Sequence, residues 1–281
     1  MIAEDWQKLK NAYERSMMIK RAQTARIIIM CAYSAMTIAF TFVVVLPICG
    51  ISIRYLTNVT DPGKLLPLQT YYPYDVSKRP QYELTFFIQS IAIFFAILSY
   101  TGIDNFLGLL VFHICGQLEI LRYRITHLDN FINFHDILKK NVINHIRLLR
   151  AIAVIDDTYN IILLVLFLYF GILFACYGFL IINLIEKGNN ISITHLTYEV
   201  CILVNTFGHM CVYCAVGEIL VAQCNKIYYA TYSNKWYTMV PKDTEDILFL
   251  MTRGPKQICF TVGKVSPVTM ATFCSVRYFN V

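Results

Sequence analysis

The sequence has 281 residues, of which 57% are hydrophobic and only 15% charged, with a net charge of +6. A soluble domain carries about 25% charged residues, so the composition excludes an ordinary water-soluble globule, and no nucleic-acid partner is expected. Ten cysteines do not make a disulfide framework. Most of them (Cys31, Cys115, Cys176, Cys201, Cys211, Cys214, Cys274) lie inside apolar runs, where they act as small hydrophobes.

Residues 1–26 read as a helix, with Trp6, Leu9, Tyr13 and Met17 on one face and six basic residues around them. A cleavable signal has a short basic region followed at once by its apolar core. Here the basic segment is expected to stay in the cytosol, with the first apolar run acting as the membrane anchor. That run, 27–50, ends at Pro47 and Gly50. Residues 51–84 form a polar loop with four prolines, expected to be an ordered lid, and Asn58-Val59-Thr60 is a glycosylation sequon. The second span is 85–113. Asp104 interrupts it, and an acid at membrane depth must face protein, water or a partner.

Residues 114–157 carry Leu118, Leu121, Ile125 and Leu128 at steps of three to four. Such a stripe packs against other helices, so the spans on either side are expected to continue into a cytosolic bundle. The third span is 158–185. A short loop follows, with a second sequon at Asn190-Ile191-Ser192. The fourth span, 197–222, belongs to the stretch Phe207–Tyr237, which starts nearly all apolar and ends polar. Gly217 and Glu218 sit near the crossover. Lys226, Tyr228, Tyr229, Tyr232, Lys235 and Trp236 mark the exit into water, where aromatic rings and lysines favour the interface. The segment 258–281 is a fifth, shortened span. Each of the first four is long enough to cross a hydrocarbon core of about 30 Å, so the fold class is all-α, a polytopic transmembrane helical bundle.

With the N-terminus inside, the inside segments hold seventeen Lys and Arg against five in the outside loops. The positive-inside rule and both sequons then agree on one orientation. The Cys211/Cys214 pair lacks a second pair, so no metal is expected. No zinc, phosphate-loop or dinucleotide fingerprint occurs, so no cofactor is expected. No nucleophile–base pair is placed for catalysis, so an enzyme is not expected. Two classes remain. One is a receptor or channel binding a small apolar ligand among its helices; the other is a transporter or structural membrane protein, though broken half-helices and repeats are not visible.

Several stretches carry a resemblance. They are Tyr100-Thr101-Gly102-Ile103-Asp104 with His113-Ile114-Cys115-Gly116-Gln117-Leu118; Tyr213-Cys214-Ala215-Val216-Gly217-Glu218; Ile227-Tyr228-Tyr229-Ala230-Thr231-Tyr232 with Lys235-Trp236-Tyr237; and Thr261-Val262-Gly263-Lys264 through Thr272-Phe273. In this order they resemble the insect odorant receptors. The resemblance implies an odorant-gated cation channel subunit in the plasma membrane, with a cytosolic N-terminus, a small volatile odorant as ligand, and a hetero-tetramer formed with a co-receptor. It places the ligand in the outer half of the bundle, where Phe42, Leu46, Phe87, Ile91, Tyr198 and Cys201 are the expected contacts. Asp104 and Glu218 are expected to serve inner-half structure or gating, and the resemblance puts Thr272 and Ser275 in the pore helix. The family has seven membrane helices, and the five spans here correspond to its third to seventh. The alternatives are a gustatory-type chemoreceptor and a non-functional fragment of an odorant receptor.

Overall fold

A computed structural model describes residues 2–8, 11–49, 66–68, 70, 72–76, 78–128, 134–186, 193–233, 236–238, 241–253 and 259–274. Asn58, Asn190 and Ser275 lie outside them, as does the side chain of Tyr198.

A short helix α1 (Ile2–Gln7) precedes the long α2 (Ala12–Phe40). Helix α2 widens through a π-helical turn, Thr41–Val45, into the brief α3 (Leu46–Ile48). The Leu46 N–H reaches back five residues to the Thr41 carbonyl. Pro47 accounts for the widening: it has no N–H to donate, and its ring crowds the carbonyl of the preceding turn. Three very long helices follow, α4 (Gln81–Thr126), α5 (Phe134–Glu186) and α6 (Ile193–Tyr232). At 1.5 Å per residue, α4 is about 69 Å long and α5 about 80 Å, more than twice the hydrocarbon thickness. Four helices are long and apolar enough to cross a membrane: Ala12–Ile48, Gln81–Thr126, Phe134–Asn183 and Glu199–Tyr232.

The buried core sits mostly in the C-terminal halves of α4 and α6 and the N-terminal half of α5. Leu118, Leu121, Ile125 and Leu128, the stripe expected from spacing, are all buried. They belong to one cluster with Leu148 and Ile152 of α5 and with Leu220 and Ile227 of α6. The outer half of α5 is different: Ile161, Val165, Leu168, Ile172 and Phe179 are exposed, as side chains facing lipid would be. Near the N-terminal end of α4, the described part of the proline-rich loop is fastened to that helix. Buried Gln89 donates to Thr70 Oγ1 at 2.8 Å and to the Tyr72 hydroxyl at 3.0 Å, and accepts from the Leu68 N–H at 3.0 Å.

Charges lock the inner bundle laterally. The Glu14 carboxylate takes both Nε and Nη2 of Arg124, at 2.6 and 2.9 Å, and Arg21 meets Glu119 at 2.9 Å, so α2 is paired twice with α4. Asp5, fully buried in α1, joins Arg147 of α5 at 2.7 Å and His113 of α4 at 3.2 Å. Burial opposes its charge, yet hydrogen bonds from Arg147 and His113 outweigh burial and hold the Asp5 carboxyl below its ordinary range.

The segment expected as the fifth span opens differently. Strands β1 (Thr261–Val262) and β2 (Ser266–Pro267) form an antiparallel hairpin, and only Met270–Cys274, α8, is helical within the described part. A 3₁₀ turn (Trp236–Thr238) and α7 (Pro241–Arg253) come between α6 and the hairpin. Gly263 and Lys264 both have positive φ, 57° and 62°, and the Val265 N–H donates to the Val262 carbonyl at 3.0 Å. Two successive left-handed residues reverse the chain within the three-residue loop between the paired Val262 and Ser266, which a helix reading of the same residues cannot accommodate.

The hairpin is clasped from two sides. On α5, Asp156 accepts from the Thr261 N–H at 2.6 Å and its hydroxyl at 2.9 Å, and Lys264 pairs with Asp157. That pairing raises the Lys264 pKa. On α6, Gly217 lies so close to Val268 that a Cβ there would sit 2.1 Å from the Val268 carbonyl oxygen.

Gly217→Ala is therefore expected to push the hairpin off α6 at a cost of about 1–3 kcal/mol, read as a lower melting temperature of the purified protein. An unchanged melt would refute the close approach. Asp5 has a depressed folded pKa, so its contribution is complete above 3.8 and is lost as pH falls through the lower folded value. Asp5→Asn is expected to remove that acid-dependent loss from a pH series of melts.

Candidate ligand cavity

Between α2, α4 and α6, at the inner half of the predicted spans, lies a cavity of about 470 Å³. Small residues make it. Ala25, Ala32 and Ala35 line it from α2, Gly108 from α4 and Gly208 from α6. A Cβ built at Gly108 or Gly208 would meet nothing within 4 Å. Larger residues there would close the space. The walls are otherwise apolar, with Ile28, Met36, Phe112 and Val212 among them.

One wall is polar. Asp104 accepts a hydrogen bond from the Tyr213 hydroxyl, and its second oxygen lies 3.5 Å from His209 Nε2. Rings surround this pair: Tyr100 meets His209 edge-on at 5.5 Å, and Phe170 stacks on it at 6.3 Å. Thr101, Asn105 and Asn205 complete the polar wall. Asp104 and His209 give two metal-ligating groups, and among the described residues no three converge on one point. The arrangement suits a mostly apolar molecule of small size, since ligand pockets of roughly 300–1,000 Å³ are typical and carry few polar groups.

The expected site residues fall in several places. Asp104 is in the cavity wall. Phe42, Phe87 and Ile91 are exposed and Leu46 half-buried, all toward the outer end, and Cys201 is exposed on α6. None of these five lines the cavity. Glu218 is exposed on α6, one position past the Gly217 contact, and Thr272 is exposed on α8, where its N–H is capped by Thr269 Oγ1 at 3.2 Å. Spacing alone had not singled out His209, Tyr213, Thr101 or Asn105 as site residues. A signal existed: Thr101, Asp104, Asn105 and Gly108, and likewise Asn205, Gly208, His209 and Val212, recur at helical spacing within otherwise apolar runs.

Four long apolar helices, three of which line a cavity, define a multi-pass helical membrane protein. The sequence pattern of the 7tm Odorant receptor family matches residues 2–279, nearly the whole chain, and the chain belongs to that family. Odorant receptor 13a of Drosophila melanogaster is 23% identical over 242 residues, covering 78% of this chain and 57% of the relative. Odorant receptor 10 of Aedes albopictus is 24% identical over 220 residues, covering 75% of this chain and 56% of the relative. Among solved structures, the insect olfactory receptor OR5 from Machilis hrabei in complex with eugenol superposes with a TM-score of 0.75 at 18% identity, covering 94% of this chain and 65% of that one. The chain thus spans 56–65% of the length of these three proteins.

If the Asp104 wall is built as described, Tyr213→Phe removes one interhelical hydrogen bond. Such bonds are worth about 1 kcal/mol in membranes. The expected result is a modest drop in melting temperature in detergent, smaller for Asp104→Asn, which keeps an acceptor for the tyrosine.

Proposed function

We propose that this chain acts as an olfactory receptor subunit that binds a volatile odorant and gates a cation pore with a co-receptor, as a hetero-tetramer in the plasma membrane of sensory neurons. The observation that carries this reading is the route from cavity to hairpin. Tyr213, which holds the cavity's acid, stands one helical turn above Gly217, against which the hairpin leading into α8 is packed. A ligand that repositions α6 at Tyr213 bears directly on the segment that carries α8. Membership in the family and a solved relative captured with eugenol support the ligand class. Burial of an apolar ligand yields about 25 cal/mol per Å². A ligand shifts the closed–open equilibrium only through its different affinity for the two states.

In this reading the N-terminus and the inner bundle are cytosolic, Asn58 and Asn190 are outside and glycosylated, and α8 with Thr272 and Ser275 begins the pore helix. Phe42, Leu46, Phe87, Ile91, Tyr198 and Cys201 form the outer part of the ligand path. Asp104 and Glu218 serve the inner-half linkage to the gate.

Co-expressed with a co-receptor, the chain is expected to give odorant-evoked cation currents, and Val212→Trp, which fills the cavity, to raise the half-maximal concentration at least about tenfold, or roughly 1.4 kcal/mol. Currents insensitive to Val212→Trp would move the site elsewhere, and no evoked current from a surface-expressed chain would overturn the channel reading. Orientation has its own check. Glycosidase treatment should lower the apparent mass of the wild type, and Asn58→Gln with Asn190→Gln should abolish that change. Glycosidase resistance of a surface-expressed wild type would count against outside sequons.

A further inference from the structure

We infer that a second pocket, at the shared end of α2, α4 and α6, binds the phosphate-bearing headgroup of an anionic lipid, namely the phosphomonoester of a phosphorylated inositol lipid in the inner leaflet. The inference takes one thing from the proposed function, that this end of the bundle faces the cytosol.

The pocket measures about 650 Å³. Tyr13 lines it from α2, Arg122, Tyr123 and His127 from the end of α4, and Lys226 and Tyr229 from α6. Among the described residues no carboxylate lines it. The acids of this zone are already engaged, Glu14 by Arg124 and Glu119 by Arg21. Arg122 and Lys226 join no ion pair with a described residue, so both are surplus cations. Two helix ends weigh against them. Helices α4 and α6 both finish here, and each C-terminus carries about half a negative charge. Together these ends offset one of the two fixed cations and leave the other. His127 Nδ1 lies 2.9 Å from the Tyr123 carbonyl, which only accepts, so Nδ1 carries a proton. Its Nε2 then accepts from a P–OH or, once protonated, donates to a phosphate oxygen.

Rings make the rest of the wall. Tyr13 and Tyr123 lie 4.6 Å apart centre to centre, and Tyr123 and His127 4.3 Å. A cationic ligand would meet two like charges here, and an apolar one would strip water from a guanidinium and an ammonium without replacing it. An anion with several acceptor oxygens matches the donors present, Arg122, Lys226 and the Tyr229 hydroxyl. The volume is that of a whole small-molecule site, far more than one phosphate fills, and suits a phosphate carried on a ring.

Height decides which phosphate. Lys226 stands four residues past the predicted span 197–222, or about 6 Å, and Arg122 nine past 85–113, or about 13 Å. The headgroup zone adds only about 5–8 Å to each side of the hydrocarbon. The phosphodiester that joins a headgroup to glycerol stays within that zone, at the level of Lys226. A phosphate on the far side of an inositol ring projects beyond it, to the level of Arg122. Phosphatidylserine has no such second phosphate.

The test places the full chain in phosphatidylcholine nanodiscs that carry either a phosphatidylinositol phosphate or phosphatidylserine at equal surface charge. Native mass spectrometry then counts the lipid retained on the chain. The inositol lipid is expected to be retained at least about tenfold over phosphatidylserine, roughly 1.4 kcal/mol. Arg122→Gln and Lys226→Gln should each cut its retention about fivefold, and Arg122→Lys should keep most of it. Lys139→Gln removes the same charge from an exposed site on α5 and should change nothing. Melting temperatures in phosphatidylcholine alone show whether the variants fold. Should Arg122→Gln fail to, Lys226→Gln, exposed on α6, carries the test. Equal retention of the two lipids overturns the inference, as does an equal loss from Lys139→Gln. Free inositol phosphate that binds as tightly as the lipid, in phosphatidylcholine nanodiscs, overturns the lipid source and assigns the pocket to a soluble anion. Both faces of a nanodisc are open to solvent, so retention does not depend on orientation. Selective retention beside a glycosidase-resistant wild type would therefore fail the proposed orientation and overturn the inner leaflet, while the headgroup chemistry stands.

Discussion

Hydrocarbon offers no hydrophobic drive for one apolar helix to close on another, because lipid tails are as apolar as leucine. The long helices of this chain are therefore held together where they leave the hydrocarbon. Below the predicted spans, water restores the drive, at about 25 cal/mol per Å² of apolar surface removed from it. There Leu118 and Leu121 of α4, with Leu128 just past its end, join Leu148 and Ile152 of α5 and Ile227 of α6 in one buried cluster. The ion pairs of the same zone set angle and register rather than supplying the bulk of the stability. Glu14–Arg124 and Arg21–Glu119 fix α2 along α4 at two heights. Asp5 ties α1 to both α4 and α5 through a buried carboxylate that is stable only because Arg147 and His113 face it.

A bundle anchored at one end need not be tightly packed at the other. The exposed apolar faces of α5 at Ile161, Val165 and Ile172 cost nothing in lipid, and beside the cavity a polar cluster links α4 to α6 next to buried Leu107, Val111 and Cys214. Asp104 is the hinge of that arrangement. An isolated carboxylate at this depth would be expelled or neutralised, but Tyr213 donates to it and His209 stands beside it. The acid thus spans α4 and α6 across the cavity mouth, while Gly108 and Gly208 keep the space beside it open.

The membrane class, the first four spans and the inner stripe were legible from the sequence because each rests on a run or a period. Solvent dictates both, and no knowledge of neighbours is needed to read them. The cavity was less legible. Asp104 stood out as a charge in an apolar run, but its partners came from a helix more than a hundred residues away, and periodicity cannot report which helices meet. Phe42 and Phe87 stand out in the sequence as aromatics, and both are exposed away from this cavity; lipid-facing and ligand-facing aromatics look alike in one dimension. Small residues mark space rather than contact, so Gly108 and Gly208 are legible only through the polar residues spaced with them, and Ala32 not at all.

The segment from Thr261 to Pro267 shows the same limit from the other side. Its residues read as a weak continuation of an apolar run, and Lys264 and Pro267 as blemishes in it. In three dimensions these blemishes are the structure. Lys264 takes a left-handed conformation beside Gly263, and its ammonium finds Asp157. Asp156 receives both the N–H and the hydroxyl of Thr261. Gly217 removes the one Cβ that would hold the hairpin off α6. A two-strand hairpin has no stability of its own, so its position is set by these contacts on α5 and α6. Any change in the separation of those two helices must be taken up by the hairpin, and so by the entry to α8. On the proposed reading, a ligand in the cavity bears on α6 one turn from the Gly217 contact, so ligand and last helix share one element, which is what coupling between two sites requires.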